Sequence, residues 1–384
     1  MFELRLESFE QRDDQGETLS KPPAVIDLFA GAGGLGIGAV LAGGELRLSV
    51  DNDHYSCESL RRNANGSDVL EGDVTALKGK DLRRQAGVSA NDHLIVVGGA
   101  PCQPFSKAAY WVDPGKEAAY RRARARGEQS DKPAALTMAR PDSRRTLVHE
   151  FLRLTLEAEA SGFVFENVPS ILHPRNKHIF EALRRDAEDA GYYTTTLVAT
   201  ATDYGVPQAR QRVFLLASRE SQPVAPEKSH GTDVPFVTAG DAISHLNVPE
   251  LQEEGEVVTG RWAEHLAEVP PGWNYKHHTA WGGHPSPTFE TETRYWNFLL
   301  KLSPDRPSWT LPASPGPWTG PFHWAGRRLR TPEMAALQTF PENYVFAGPR
   351  RERVRQIGNA VPCVMASAVF ESVLRSHVIS TAAA

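Results

Sequence analysis

Ala24-Val25-Ile26-Asp27-Leu28-Phe29-Ala30-Gly31-Ala32-Gly33-Gly34-Leu35-Gly36 reads as a buried strand running into a glycine turn and the start of a helix. Gly31, Gly33 and Gly36 spell G-x-G-x-x-G, and Asp51 stands 20 residues after Gly31, at the end of the next apolar run. Glycines let a backbone approach a ligand closely, and an acid at the second strand end can accept two ribose hydroxyls. The pattern predicts a site for an adenosine-type cofactor and leaves a dinucleotide, S-adenosylmethionine or a ligand-free turn open. Asp73, after a third short strand, is placed to receive an adenine amino group, and Phe29 can stack on a purine. No phosphate clamp beyond the glycine turn is evident, which favours a cofactor without pyrophosphate.

Outward from that turn, strand and helix signals alternate. Strands are expected at 24–29, 46–50, 68–70 and 94–97, then at 163–165, 192–198 and 212–217, with helices at about 34–41, 54–62, 144–159 and 176–190. This rhythm predicts an α/β fold, a doubly wound, mostly parallel sheet with helices on both faces. From about Ser218 the periodicity fades. Seven of the eight tryptophans fall between Trp262 and Trp324, so a smaller irregular domain is expected over 220–326. The catalytic domain would then be discontinuous, 1–219 plus 327–384, ending in helices at 331–339 and 363–377.

The chain has 384 residues, 40% hydrophobic and 23% charged, with a net charge of −5, the composition of an ordinary globular protein. Its three cysteines show no metal spacing and fit a reducing compartment. No apolar run approaches a membrane span, and the N-terminus lacks a signal-peptide core; a cytoplasmic, nucleoid-associated protein is expected. Residues 121–145 hold eight basic residues against three acids, and 327–355 hold seven arginines against three glutamates. Such runs can neutralise phosphates, although a solvated surface is the default reading. His265, His277, His278, His284 and His323 lack cysteine neighbours and an i, i+4 pair, so no metal site is expected.

Cys102 follows the apolar run Leu94-Ile95-Val96-Val97, in Gly98-Gly99-Ala100-Pro101-Cys102-Gln103-Pro104-Phe105-Ser106. A thiol at a strand's carboxyl end stands where open α/β sheets place chemistry. Glu166, in Glu166-Asn167-Val168, ends a later strand in the same way. Arg210 and Arg212 alternate along a strand and would share a face.

In order, the glycine loop, Pro101-Cys102-Gln103, Glu166-Asn167-Val168, Gln208-Ala209-Arg210-Gln211-Arg212, Leu337-Gln338-Thr339-Phe340-Pro341 and Gly358-Asn359-Ala360-Val361-Pro362 resemble the motifs of the DNA (cytosine-5)-methyltransferase family, over more than 300 residues. The resemblance implies a methyltransferase domain that binds S-adenosylmethionine and flips a cytosine out of double-stranded DNA. It implies Cys102 as the nucleophile for carbon 6, in surroundings that favour the thiolate. Glu166 would bond the N3 and N4 edge, and Arg210 and Arg212 would meet the cytosine O2 and a nearby phosphate or carboxylate. Cofactor contacts would come from Asp27, Phe29, Gly31, Gly33, Gly34, Asp51, Asn52, Asp73, Val74, Pro101, Leu147, Asn359 and Ala360. Gln103, Ser106, Arg121, Arg122, Arg124, Gln208, Arg327 and Arg328 are the expected DNA contacts, with 106–142 as a loop that closes over the base. Domain 220–326 would recognise the target. A monomer is expected, and a cognate restriction endonuclease could be a partner. A tRNA substrate, a non-catalytic DNA-binding regulator and an NAD-dependent oxidoreductase are the alternatives; the last leaves Cys102, Glu166 and the arginine pair without a role.

Overall fold

The computed structural model describes residues 21–105, 142–291 and 294–381, with a few positions between 116 and 131. Seven strands form one sheet in the order β3-β2-β1-β4-β5-β8-β6. They are β1 (Ala24–Leu28), β2 (Glu45–Asp51), β3 (Asp68–Glu71), β4 (Leu94–Gly98), β5 (Gly162–Asn167), β6 (Tyr193–Thr200) and β8 (Gln211–Ser218). All pairings from β3 to β5 are parallel, whereas β8 runs antiparallel to both β5 and β6. The central strands β1, β4 and β5 are buried along their whole length, which is why they read as unbroken apolar runs. Edge strand β6, Tyr-Thr-Thr-Thr-Leu-Val-Ala-Thr, is largely solvated and threonine-rich.

Helices cover both faces. On one side α3 (Gly79–Gln85), α4 (Leu147–Glu157) and α5 (Lys177–Asp189) pack on Ile26, Val96, Phe163 and Phe165. On the other, α1 (Gly34–Leu41) and the C-terminal α10 (Cys363–Thr381) pack on Val25, Val97 and Phe214. A Cβ on Gly38 would meet Ala366 at 2.4 Å, so α1 and α10 touch backbone to backbone. Together with α9 (Arg350–Asn359), α10 has the length and hydropathy of a membrane span, but 61% of that window is buried inside the fold and the helix breaks at Ala360. Helix α9 was not expected; only Val354 and Ile357 give Arg-Arg-Glu-Arg-Val-Arg-Gln-Ile-Gly-Asn an apolar side. Helix α2 (His54–Arg62) is capped by Asp53, whose carboxylate accepts from Ser56 N.

Beyond β8 the chain forms short helices α6 (Ala239–Ile243) and α7 (Ala263–Glu268), turns, and a two-stranded ribbon pairing β7 (Gln208–Ala209) with β9 (Ser308–Trp309). A separate aromatic core gathers Tyr275, Phe289, Phe298 and Phe322. A further core joins Ile243, Leu302 and Leu311 to α8 (Thr331–Leu337), α9 and Cys363.

Candidate active site

Strand β4 delivers Cys102 to the carboxyl edge of the sheet on a loop whose carbonyls are held by side chains from elsewhere. Asn167, fully buried at the end of β5, donates Nδ2–H to Ala100 O at 3.0 Å. Arg145 donates to Pro104 O at 2.8 Å and lies over the Phe105 ring. Ser170 Oγ donates to Phe105 O at 2.5 Å. Phe105 N closes the turn on Cys102 O at 2.9 Å. Cys102 therefore stands on a braced loop, the support a reactive group requires.

Glu166 leaves β5 beside it. Its Oε1 lies 2.7 Å from Arg212 Nε, and both side chains are about nine-tenths buried. Arg212 also donates from Nη1 to Gln211 O at 2.7 Å; among the described residues its Nη2 has no protein partner. Gly99 lies directly under the carboxylate: a Cβ there would sit 2.7 Å from Glu166 Oε2. No larger residue fits at that position without moving the acid.

Arg210 corrects the expectation that both arginines meet substrate. It sits in the break between β7 and β8, where its N–H bonds Gln208 O. The alternation does bring its charge near Glu166 and Cys102. Its guanidinium, 1% exposed, donates to Gly358 O at 2.9 Å and Asn359 O at 3.2 Å, with Leu311 O at 3.5 Å. These include the terminal carbonyls of α9, which a helix leaves unsatisfied.

The electrostatics also differ from expectation. Burial pushes the Cys102 thiol above its ordinary range, and the Glu166 charge adds to this against the pull of Arg212 and Arg210. Burial likewise raises Glu166 despite both arginines. Desolvation and one carboxylate act against the thiolate here, and two guanidinia act for it.

The glycine turn forms a second recess. Gly31 has φ +55° and donates to Asp51 Oδ2 at 2.7 Å, and its missing Cβ points into open space. Phe29, also at positive φ (57°), is half-buried against the core on that face of the sheet. Asp51 accepts a second N–H, from Asp53, at 2.8 Å. Asp73 is exposed and caps the short turn Val74–Ala76 through Thr75. Asn52 is exposed, Pro101 half-buried and Val74 buried. Under the turn, buried Asp27 accepts from Gly36 N through Oδ2 and leaves Oδ1 without a partner. Burial, with Asp51 nearby, raises its carboxyl to about 8. Asp51 and Asp73 beside an open glycine face fit a cationic adenosyl ligand.

Gly33 and Gly34 do not share that open face. A Cβ on Gly33 would touch Leu60 at 3.0 Å and one on Gly34 would strike Val361 O at 2.2 Å, so both serve packing. Asn359 ends α9, and Ala360 is buried beside it. Tyr344, which sequence reading missed, donates to Ala32 O at 2.7 Å and ties the glycine turn to the C-terminal motifs; no local pattern signals it.

Of the expected DNA contacts among the described residues, one is buried and two are engaged by the protein itself. Gln208 is fully buried, donating to Leu337 O and Gln338 Oε1 and accepting from Leu311 N. Arg327 is forked onto Glu333 at 2.6 and 2.9 Å. Arg328 donates to Pro317 O over the Phe322 ring. Much of the 327–355 run is paired within the protein: Arg330 pairs with Glu256 (2.6 Å), Arg350 with Glu253 (3.2 Å) and Arg355 with Asp53 (2.7 Å). Gln103 is exposed. Ser106, Arg121, Arg122 and Arg124 lie outside the described residues. Trp273, Trp281 and Trp296 are exposed. His278 and His284 lie close to Glu268.

A family model for C-5 cytosine-specific DNA methylase matches residues 24–375. The chain is 35% identical to the Type II methyltransferase M.SacI of Streptomyces achromogenes, covering 91% of this chain and 92% of that one. It is 31% identical to M.NgoFVII of Neisseria gonorrhoeae, covering 89% and 84%. A prophage-encoded DNA modification methyltransferase of E. coli superposes with a TM-score of 0.65 at 21% identity, over 93% of this chain and 99% of that one, and shares its fold.

Proposed function

This chain belongs to the C-5 cytosine-specific DNA methylase family, and from that membership we propose how its own residues carry the reaction. It is an enzyme of the S-adenosylmethionine-dependent class, and it methylates carbon 5 of cytosine in DNA. Neither tRNA methylation nor a non-catalytic regulatory role is favoured by the family match. The cofactor, when bound, supplies an activated methyl on a sulfonium. Gly31, Phe29, Asp51 and Asp73 would hold it, above buried Asp27, with Asn52, Val74, Pro101, Leu147 and the 359–360 backbone around the recess.

The observation that carries the reading is the Arg212–Glu166 pair beside Cys102, with one arginine nitrogen left open. Cys102 Sγ adds to carbon 6 of a cytosine flipped from the duplex, which makes carbon 5 nucleophilic. Glu166 holds a proton on the N3 side, and Arg212 Nη2 meets O2. The two pKa shifts couple these steps. When Glu166 is neutral its charge no longer opposes the thiolate, so a proton shared with the base and the loss of the thiol proton favour each other. Arg210 positions rather than reacts: it fixes the end of α9 and, through it, the 358–362 motif.

We take 1–219 with 327–384 as the catalytic domain and 220–326 as the target recognition domain, a division supported by the separate aromatic core around Tyr275 and Phe298. Gln103 and the loop after it would engage double-stranded DNA. The naming of the relatives as Type II methyltransferases supports a cognate restriction endonuclease as partner. Action as a monomer at the nucleoid, in the cytoplasm, completes the reading. Incubation with labelled S-adenosylmethionine and mixed DNA and tRNA tests it. Label should enter DNA with wild-type enzyme and vanish with Cys102→Ser; label on DNA that survives the substitution would overturn the nucleophile.

A further inference from the structure

We propose that Glu268, His278 and His284 form a binding site for a divalent transition-metal ion of the zinc class, set in the irregular segment that follows the sheet. One carboxylate oxygen and one nitrogen from each imidazole all lie within 4.8 Å of one another. Glu268 Oε2 is 3.6 Å from His278 Nδ1. Ligand atoms around a tetrahedral zinc ion sit roughly 3.4 Å apart, given bonds of about 2.0–2.1 Å. The Glu268 side chain is 60% exposed, so it can close the remaining gap by a change of rotamer.

The imidazoles are already oriented. His278 is 1% exposed and its Nε2 lies 2.7 Å from His265 O. A carbonyl only accepts, so Nε2 carries the proton and Nδ1 keeps its lone pair. That Nδ1 is buried and has no hydrogen-bond partner. His284 is held through Nδ1, which lies 2.7 Å from Ser286 O and 3.2 Å from Ser286 N. A ring N–H anchored on a backbone carbonyl is the usual outer support of a metal-binding histidine. Two nitrogens and one oxygen suit zinc and its neighbours rather than magnesium or calcium.

The placement gives the ion a task. Glu268 ends α7, His278 ends a single 3-10 turn and His284 lies in the following loop. Nothing in this stretch belongs to a sheet, so a shared ion would cross-link three elements that hydrogen bonds join only sparsely. Exposed Trp273 and Trp281 stand on the same turn, their rings 6.4 Å apart, so the ion would fix that surface. A second group, His93, Glu220 and His377, lies at the amino edge of the sheet and serves as the internal control.

The test uses the full-length protein, stripped with a chelator and titrated with Zn²⁺ against a chromophoric competitor. One equivalent should bind and raise the melting temperature, and Co²⁺ should give visible d–d absorption. Glu268→Gln and His284→Ala, both on accessible side chains, should each weaken binding about 10-fold or more with the circular dichroism unchanged. His93→Ala/His377→Ala should leave the equivalent in place. The proposal is overturned if no zinc binds to the folded protein, if binding persists undiminished in both single variants, or if it is lost in the His93/His377 double variant instead.

Discussion

Two regions of this molecule are rich in arginine and use it in opposite ways. At the carboxyl edge of the sheet Arg212 has a carboxylate on one nitrogen, a carbonyl on another, and a third with no protein partner. In 327–355 Arg327, Arg330, Arg350 and Arg355 are paired to Glu333, Glu256, Glu253 and Asp53, and two of those acids belong to the segment before α8. The first region keeps a donor in reserve; the second consumes its donors in tying 327–355 to itself, to the 253–256 segment and, through Asp53, to the start of α2. Positive charge in a sequence is therefore not a count of phosphate contacts. What separates the regions is whether the protein itself supplies every acceptor.

The largest effect that could break the comparison lies at the sulfur. Cys102→Ser should lower methyl transfer by about 10⁴-fold or more while leaving the melting curve in place; a stability loss would make Cys102 structural. Glu166→Gln should cost roughly 10²–10⁴ in rate and, by removing the charge that opposes the thiolate, make Cys102 alkylate faster at a given pH. Slower alkylation would show the coupling has the wrong sign. Arg330→Met should do the reverse of both, leaving buried Glu256 unpaired at about 3–5 kcal/mol, seen as a fall in denaturant midpoint with little change in turnover per folded molecule.

Asp27 sharpens the contrast through pH. Its folded pKa of about 8 stands above the ordinary carboxylate value, so the folded chain binds the proton more tightly than the unfolded one. Its contribution is fully present below pH ~4 and is lost as pH rises through about 8. Asp27→Asn should flatten thermal stability between pH 5 and 8.5; an unchanged slope would exclude Asp27 as its source. The smallest effect belongs to Arg351, exposed on α9: its replacement by Ala should stay within about 0.5 kcal/mol.

How much of this was legible follows the same division. Strands buried on both faces must be apolar throughout, so β1, β4 and β5 could be read directly, and Cys102 and Glu166 were found because they end such strands. Arg210 and Gln208 belong to the right motif, but whether a side chain turns to substrate or to a helix end depends on α9 for Arg210 and α8 for Gln208, 148 and 129 residues away. Helix α9 went unseen because seven of its ten residues are charged or amide-bearing. The Glu268, His278 and His284 convergence had no periodic spacing to betray it, since turns rather than a helix face bring the three together.

Strand β8 enters the sheet against the direction of β5, so Arg212 stands near its first residue and Ser218 at its far end. Eight extended residues span about 25 Å. Extra residues inserted just after Ser218 would emerge a whole sheet-depth from the sulfur, whereas the same insertion ahead of Gln208 would land at the pocket mouth. Tolerance to length change is thus polarised: this chain can be lengthened on the exit side of β8 with its chemistry untouched, and hardly at all on the approach side.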